Sequence, residues 1–131
     1  MTVYLDTSGL AKLVVNGAET ASLRSWIGQR RDRSLVTNII GAVELQRLSA
    51  RVSQQALATA VILLGRIDLL DLTPTALALA GQLPPPEVRT LDALHIASAA
   101  QLADLEVLIT YDRRMAQAAV GYGIRVESPG Q

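Results

Sequence analysis

Thr2–Ser8 (TVYLDTS) joins a short apolar and β-branched run to an acid and two hydroxyl residues. The run Thr2–Leu5 shows no alternation with polar residues, which is typical of a strand buried on both faces of a sheet. Thr7 or Ser8 is suited to cap a helix that starts directly afterwards. A buried strand that passes at once into a helix indicates the first part of an α/β fold.

The same alternation continues along the rest of the chain. The pattern predicts strands at residues 34–37, 67–72, 106–110 and 124–126, and helices at residues 9–15, 18–30, 54–64, 74–82, 91–102 and 113–120. One more helix is predicted directly after its cap Asn38, and Ser53 and Thr90 are the predicted caps of two others. Strands that alternate with helices predict an α/β layer fold with a mostly parallel sheet. No repeat or linker interrupts this order, so residues 1–131 are predicted to form a single domain.

Composition excludes several classes of protein. Half of the 131 residues are hydrophobic and 18% are charged, which suits a packed domain rather than a disordered chain. The chain has no cysteine, which excludes disulfides, thiolate chemistry and Cys-ligated zinc. It has neither an apolar run of membrane-spanning length nor a recognisable secretory signal, so we expect a cytoplasmic protein without membrane association. The formal net charge is zero and gives no indication of nucleic-acid binding.

Four acids lie where apolar segments end or turn inward. Asp6 and Asp112 each follow an apolar strand, and parallel strands bring their carboxyl ends to one edge of the sheet. Glu44 and Asp92 lie within apolar helices. Acids in apolar surroundings need a counter-charge if they are to stay ionised, and a hard divalent cation is a natural one.

Each acid also has a structural interpretation that the sequence leaves open. Asp6 and Asp112 are both suited to cap the helix that follows them. Glu44 has the spacing for an ion pair with Arg47 on its own helix. Asp92 lies in the first turn of a helix, where the helix dipole favours a negative charge.

His95 is the only histidine in the chain and lies one helical turn beyond Asp92. It is interpreted either as a locally hydrogen-bonded core residue or as a ligand or general base. A zinc site is disfavoured because the chain has neither a cysteine nor a second histidine.

Four segments in order carry a resemblance to a known family. They are Tyr4–Leu10 (YLDTSGL), Val43–Leu45 (VEL), Leu91–Ala97 (LDALHIA) and Ile109–Arg114 (ITYDRR). Together they resemble a PIN domain, in particular the VapC-type ribonuclease toxins. The resemblance covers essentially the whole chain.

The resemblance implies a three-layer α/β/α fold that assembles as a homodimer and binds Mg²⁺ or Mn²⁺. It implies hydrolysis of RNA phosphodiester bonds and inhibition by a cognate antitoxin protein. By position, Asp6 and Asp92 resemble the principal metal ligands of the family. The residues that complete the site by the same resemblance are two acids and two supporting hydroxyl residues, Glu44, Asp112, Ser8 and Thr110.

Basic residues near these acids are candidates for contact with RNA backbone. Many relatives carry a further acid two residues after the fourth one, and here Arg114 stands at that position. This difference favours one metal ion over two. The candidate phosphate contacts are Arg113, Arg114, Arg47 and Lys12.

Two alternatives belong to other functional classes. A phosphatase with Asp6 as its nucleophile would usually carry a second acid two residues on, where this chain has Ser8. A non-catalytic RNA- or protein-binding module would keep the acidic site for structure alone. The apolar helices at residues 18–30 and 54–64 are candidates for contact with a second copy or an antitoxin, because of their amphipathic character.

Overall fold

A five-stranded parallel sheet forms the centre of the computed structural model, which describes all 131 residues. Its strands are β1 (Thr2–Leu5), β2 (Ser34–Asn38), β3 (Asp68–Leu70), β4 (Leu105–Ile109) and β5 (Val126–Glu127). They lie in the order β3-β2-β1-β4-β5, and each neighbouring pair runs parallel. Every strand overlaps a predicted one, so the predicted α/β class with a mostly parallel sheet is confirmed.

Helices cover both faces of this sheet. They are α1 (Thr7–Val14), α2 (Thr20–Gly28), α3 (Ile39–Val52), α4 (Gln54–Leu64), α5 (Pro74–Gly81), α6 (Thr90–Ala100) and α7 (Arg113–Gly121). Val3 and Leu5 pack against side chains of α1 to α4, whereas Tyr4 points to the other face and packs against α6 and α7. The three-layer arrangement is therefore confirmed. None of the helices combines the length and the apolar character needed to cross a membrane.

Side-chain caps begin several of the helices. The side chain of Asn38 accepts a hydrogen bond from Gly41 N at 2.8 Å, and that of Ser53 accepts one from Ala56 N at 3.0 Å, as predicted. The predicted cap at Thr90 is wrong, because Thr90 is already the first residue of α6 and Arg89 precedes it without a side-chain cap. Arg89 has an extended backbone and supplies only its carbonyl oxygen to the helix.

The carboxyl ends of β1 and β4 lie side by side at one edge of the sheet. Leu5 is paired with Ile109, and the next backbone N–H, that of Asp6, donates to Ile109 O at 3.2 Å. The segments that follow the two strands therefore meet there. This edge carries both acids that the sequence placed at strand ends, Asp6 and Asp112.

Candidate active site

Asp6 is deeply buried and receives hydrogen bonds on both carboxylate oxygens. It is only 4% exposed. Oδ1 accepts from Gly9 N at 2.9 Å and from Ser8 Oγ at 2.7 Å, while Oδ2 accepts from Thr110 Oγ1 at 2.5 Å. Burial raises the pKa of Asp6, and the hydrogen bonds from Thr110 and Ser8 oppose that rise. Both predicted supporting hydroxyls thus contact this carboxylate and fix its orientation.

Asp112 caps α7 and is linked to one of the same hydroxyl groups, that of Thr110. Its Oδ1 accepts from Arg114 N at 2.9 Å and from Met115 N at 3.3 Å, which confirms the predicted helix cap. Its own backbone N–H donates to Thr110 Oγ1 at 3.1 Å. Because Thr110 also donates to Asp6, one hydroxyl connects the ends of two neighbouring strands.

Asp92 lies in the first turn of α6 and is half-buried. Burial raises its pKa, and the negative charges of Asp112 and Asp6 raise it further. No hydrogen bond contributes to this balance, although neighbouring His95 and Arg89 oppose the rise. Asp92 is therefore close enough to Asp112 and Asp6 to be repelled by both, and its carboxylate has no donor from the protein.

Glu44 is held by residues from two other helices rather than by Arg47. Its Oε1 accepts from Thr7 Oγ1 at 2.6 Å and lies 3.1 Å from His95 Nε2. The hydrogen bond from His95 lowers the pKa of Glu44, with a smaller contribution from Thr7. Arg47 is exposed, and its ion pair with Glu44 does not form.

His95 lies in the interior, where it connects Glu44 to the core. It is 2% exposed, and its Nδ1 shares a 2.7 Å hydrogen bond with the hydroxyl of Tyr4. Of the two interpretations that the sequence left open, the hydrogen-bonded core residue is the one observed. Thr7 orients the Glu44 carboxylate through its hydroxyl. Tyr4 was not predicted as a member of the site, because it lies in the middle of an apolar strand and contacts His95, 91 residues away.

The donor set of this site fits a hard divalent cation that keeps several water ligands. No three of the histidine, aspartate and glutamate side chains lie close enough together to enclose a metal ion. The available donors are carboxylate oxygens, and that of Asp92 has no competing hydrogen bond from the protein. Mg²⁺ prefers such oxygen ligands and is usually bound by one or two carboxylates plus water.

The four predicted RNA contacts lie in different surroundings. Arg47 and Arg113 are exposed on α3 and α7. Lys12 is not free, because its Nζ is paired with Glu19 Oε2 at 2.9 Å. Arg114 lines a groove that also contains Asp92, so it is the candidate with the closest connection to the acids.

Arg89 is a basic residue of the same groove that the sequence did not single out. It lies directly before α6, and its charge lowers the pKa of Asp92. A single arginine in the segment between α5 and α6 forms no distinctive sequence pattern. Its place in the groove depends on the fold, which brings this segment close to Arg114 of α7.

The fold, together with the acids at the carboxyl edge of its sheet, defines a class of α/β domain. A comparison of sequences identifies that class. The family model described as PIN domain matches residues 3–121. The chain therefore belongs to the PIN domain family.

Within this family the chain is similar to VapC proteins. It is 39% identical to "Ribonuclease VapC47" of Mycobacterium tuberculosis, over 98% of this chain and 97% of that protein. It is 38% identical to "Ribonuclease VapC46" of the same species, over 97% of each. A solved structure of VapBC2 from Rickettsia felis, bound to a DNA fragment from its promoter, matches with a TM-score of 0.78 at 16% identity. That match covers 98% of this chain and 99% of the other.

Proposed function

We propose that this protein is an Mg²⁺-dependent endoribonuclease that acts as the toxin of a toxin–antitoxin pair, with Mn²⁺ as an alternative cofactor. The observation that carries the proposal is the arrangement at the carboxyl edge of the sheet, where buried Asp6 is held by Ser8 and Thr110. Half-buried Asp92 is close enough for the charge of Asp6 to raise its pKa, and its carboxylate receives no hydrogen bond from the protein. Full-length similarity to proteins named ribonuclease supports RNA as the substrate.

Asp6 and Asp92 would hold the cation, with Glu44 and Asp112 bound to it directly or through water. When bound, a divalent cation would supply Lewis acidity to the phosphoryl oxygen and lower the pKa of its water ligands. Ser8 and Thr110 keep the Asp6 carboxylate in one orientation.

Glu44 is suited to receive or position a proton. Its Oε1 is engaged by Thr7 and His95, whereas its Oε2 accepts no hydrogen bond and is free to accept one from an attacking water. Because His95 lowers the pKa of Glu44, this carboxylate remains ionised and is suited to orient an attacking water by accepting its hydrogen bond. Hydrolysis by activated water requires no covalent intermediate with the protein.

The test is cleavage of RNA by the purified protein with Mg²⁺, with EDTA, and after substitution of the acids. Asp6→Asn and Asp92→Asn should each lower the rate by at least about 100-fold, because loss of metal-derived charge stabilisation is worth several kcal/mol. Asp68→Asn is the matched control, since Asp68 is exposed and begins β3 at the opposite edge of the sheet. Cleavage that survives EDTA and both substitutions would refute the mechanism. Metal binding without turnover on any RNA would favour a non-catalytic module.

The proposal includes a cognate antitoxin as inhibitor, assembly as a homodimer, and action in the cytoplasm. The antitoxin is supported by the likeness to the VapBC2 structure. Exposed Val61 and Ile62 on α4 offer apolar surface for a protein partner. Co-expression with the product of a neighbouring reading frame should yield a complex in which RNA cleavage is suppressed.

A further inference from the structure

A groove is lined by residues at and before the start of α6 and by residues of α7. Its volume is about 320 Å³, and Asp92 of the acidic site is part of its lining. One part of its lining is apolar, from Pro85, Val88 and Ala118. The other part is polar, from Arg89, Arg114 and Gln117. The groove therefore offers apolar contact area and hydrogen-bond donors in one cleft.

The two arginines of the groove are available to a ligand. Arg114 is exposed, and neither Arg114 nor Arg89 forms an ion pair with a carboxylate of the protein. Arg114 and Gln117 are three residues apart on α7 and so lie on the same face of that helix. Arg89 belongs to a different element, directly before α6. Two unpaired guanidinium groups from two elements that line one groove are suited to bind the non-bridging oxygens of a phosphate.

The size of the groove suits one nucleotide. Its volume is at the lower end of the range of about 300–1,000 Å³ found for small-molecule pockets. A base-paired helix cannot enter a cleft of this size, because its bases are stacked inside a duplex many times wider. A single base that has left the stack can lie against Pro85 and Val88.

We propose that this groove, the Arg89–Arg114 groove, binds one unpaired nucleotide next to the scissile phosphate. In this assignment Arg89 and Arg114 contact phosphate oxygens, the base packs on the apolar wall, and the Gln117 amide reads the base edge. The inference rests on the proposed nuclease function and adds the form of substrate that the site accepts.

Binding and cleavage have to be measured separately to test this assignment. The binding probe is a fluorescent single-stranded RNA of mixed sequence, added with Mg²⁺ to the Asp6→Asn variant, which should bind without cutting. Adding Arg114→Ala or Arg89→Ala should weaken binding by about tenfold, and each should reduce the salt dependence by about 0.7 in the log–log slope, as expected for one lost phosphate contact on a single strand. Arg51→Ala, at an exposed position in the last turn of α3, should change neither quantity.

Three further variants probe the chemistry of the groove. Glu87 also lines it, so Glu87→Gln should strengthen binding by removing a repulsive charge. Gln117→Ala in the otherwise unaltered protein should change the base preferred at one position beside the cut, with the overall rate lowered less than by Arg114→Ala. Arg89→Lys keeps the charge and should retain part of the affinity, which guards against a folding defect in Arg89→Ala.

The outcomes separate this assignment from the proposed function. If the protein cleaves RNA and both arginine-to-alanine variants bind and cleave like the parent, the groove assignment is wrong and the nuclease function stands. If no RNA is cleaved but binding depends on both arginines, the groove binds an unpaired nucleotide, and both the nuclease function and the position next to a scissile phosphate are wrong. Equal binding of a blunt RNA duplex without unpaired residues would overturn the assignment to an unpaired nucleotide.

Discussion

Asp92 is the only one of the four acids whose carboxylate receives no hydrogen bond from the protein. Asp6, Glu44 and Asp112 are each fixed by at least two donors. Asp92 instead experiences burial and the negative charges of Asp112 and Asp6, which together raise its pKa. An ionised Asp92 therefore lowers the stability of the metal-free protein.

Asp92→Asn should make the metal-free protein more stable near neutral pH. Because the folded-state pKa of Asp92 is raised above its usual 3.8, its favourable contribution is complete below that value and is lost as the pH rises through the raised pKa. The gain should be at most about 1 kcal/mol, since the side chain is half exposed and solvent screens the repulsion. Urea unfolding in EDTA at about pH 7 and at about pH 4 measures it, and the gain should shrink at the lower pH.

Asp68→Asn is the control for this measurement and should leave the unfolding midpoint unchanged. A lower midpoint for Asp92→Asn at neutral pH would show that Asp92 is compensated by a contact not identified above. The reasoning applies only without metal, because a bound cation reverses the sign of the local charge.

The acids themselves could be predicted from the sequence, but the contacts of Glu44 could not. Asp6 and Asp112 follow buried strands, and that local pattern places them at the carboxyl edge of a parallel sheet. Glu44 contacts Thr7, which is 37 residues away, and His95, which is 51 residues away. The spacing of residues along its own helix offered only Arg47 as a partner for Glu44. A partner from another helix becomes visible only when packing has brought the helices together.

Among the elements, the start of α3 is the most tightly packed support of the site. Gly41 lies in its first turn, and its backbone N–H is bound by the Asn38 cap. A Cβ at Gly41 would overlap the buried Thr37 hydroxyl and approach His95 Cε1 to 3.0 Å. The absence of a side chain at this position therefore lets α3 lie against the histidine that holds Glu44.

Gly41→Ala should destabilise the protein by about 1–3 kcal/mol, the usual cost of an overpacked core site. It should also reduce RNA cleavage, because displacement of His95 removes a hydrogen bond from Glu44. Gly28→Ala is the matched control at the end of α2, where nothing lies within 4 Å of the added Cβ. That change should be neutral or raise stability by up to about 1 kcal/mol, because alanine restricts the unfolded chain more than glycine does. Urea midpoints that do not differ between the two variants would contradict the packing account.

Element bounds were predictable where strong local signals begin and end them. Helix α4 has the predicted bounds Gln54–Leu64, because Ser53 caps it and Gly65 follows its last residue. Strand β3 is shorter than the predicted residues 67–72, since it lies at the sheet edge and pairs only with β2. The wrong cap at Thr90 has a similar cause. The local sequence favours Thr90 as the cap because of its hydroxyl group. In the structure Arg89 takes the extended cap conformation instead.

At the scale of the whole molecule, the order of the strands brings the site together. The alternation of elements predicts a parallel sheet but not that β1 lies between β2 and β4. This central position places Asp6 next to the end of β4 and beside the start of α3. The acids consequently come from four separate stretches of chain, and a cation bound among them would link those stretches.

Mg²⁺ should therefore raise the global stability of the protein rather than act only on its activity. A cation that binds the folded chain alone adds RT ln(1 + [Mg²⁺]/Kd), which is about 1.4 kcal/mol at ten times Kd. The melting temperature should rise with the logarithm of the Mg²⁺ concentration above Kd and return to its starting value on addition of EDTA. Asp6→Asn should abolish most of the rise, whereas Asp68→Asn should keep it. Mn²⁺ should act at lower concentration than Mg²⁺, because it binds oxygen ligands more strongly and tolerates less regular geometry. A melting temperature that responds equally in the wild type and in Asp6→Asn would place the cation elsewhere on the molecule and separate metal binding from the acidic edge of the sheet.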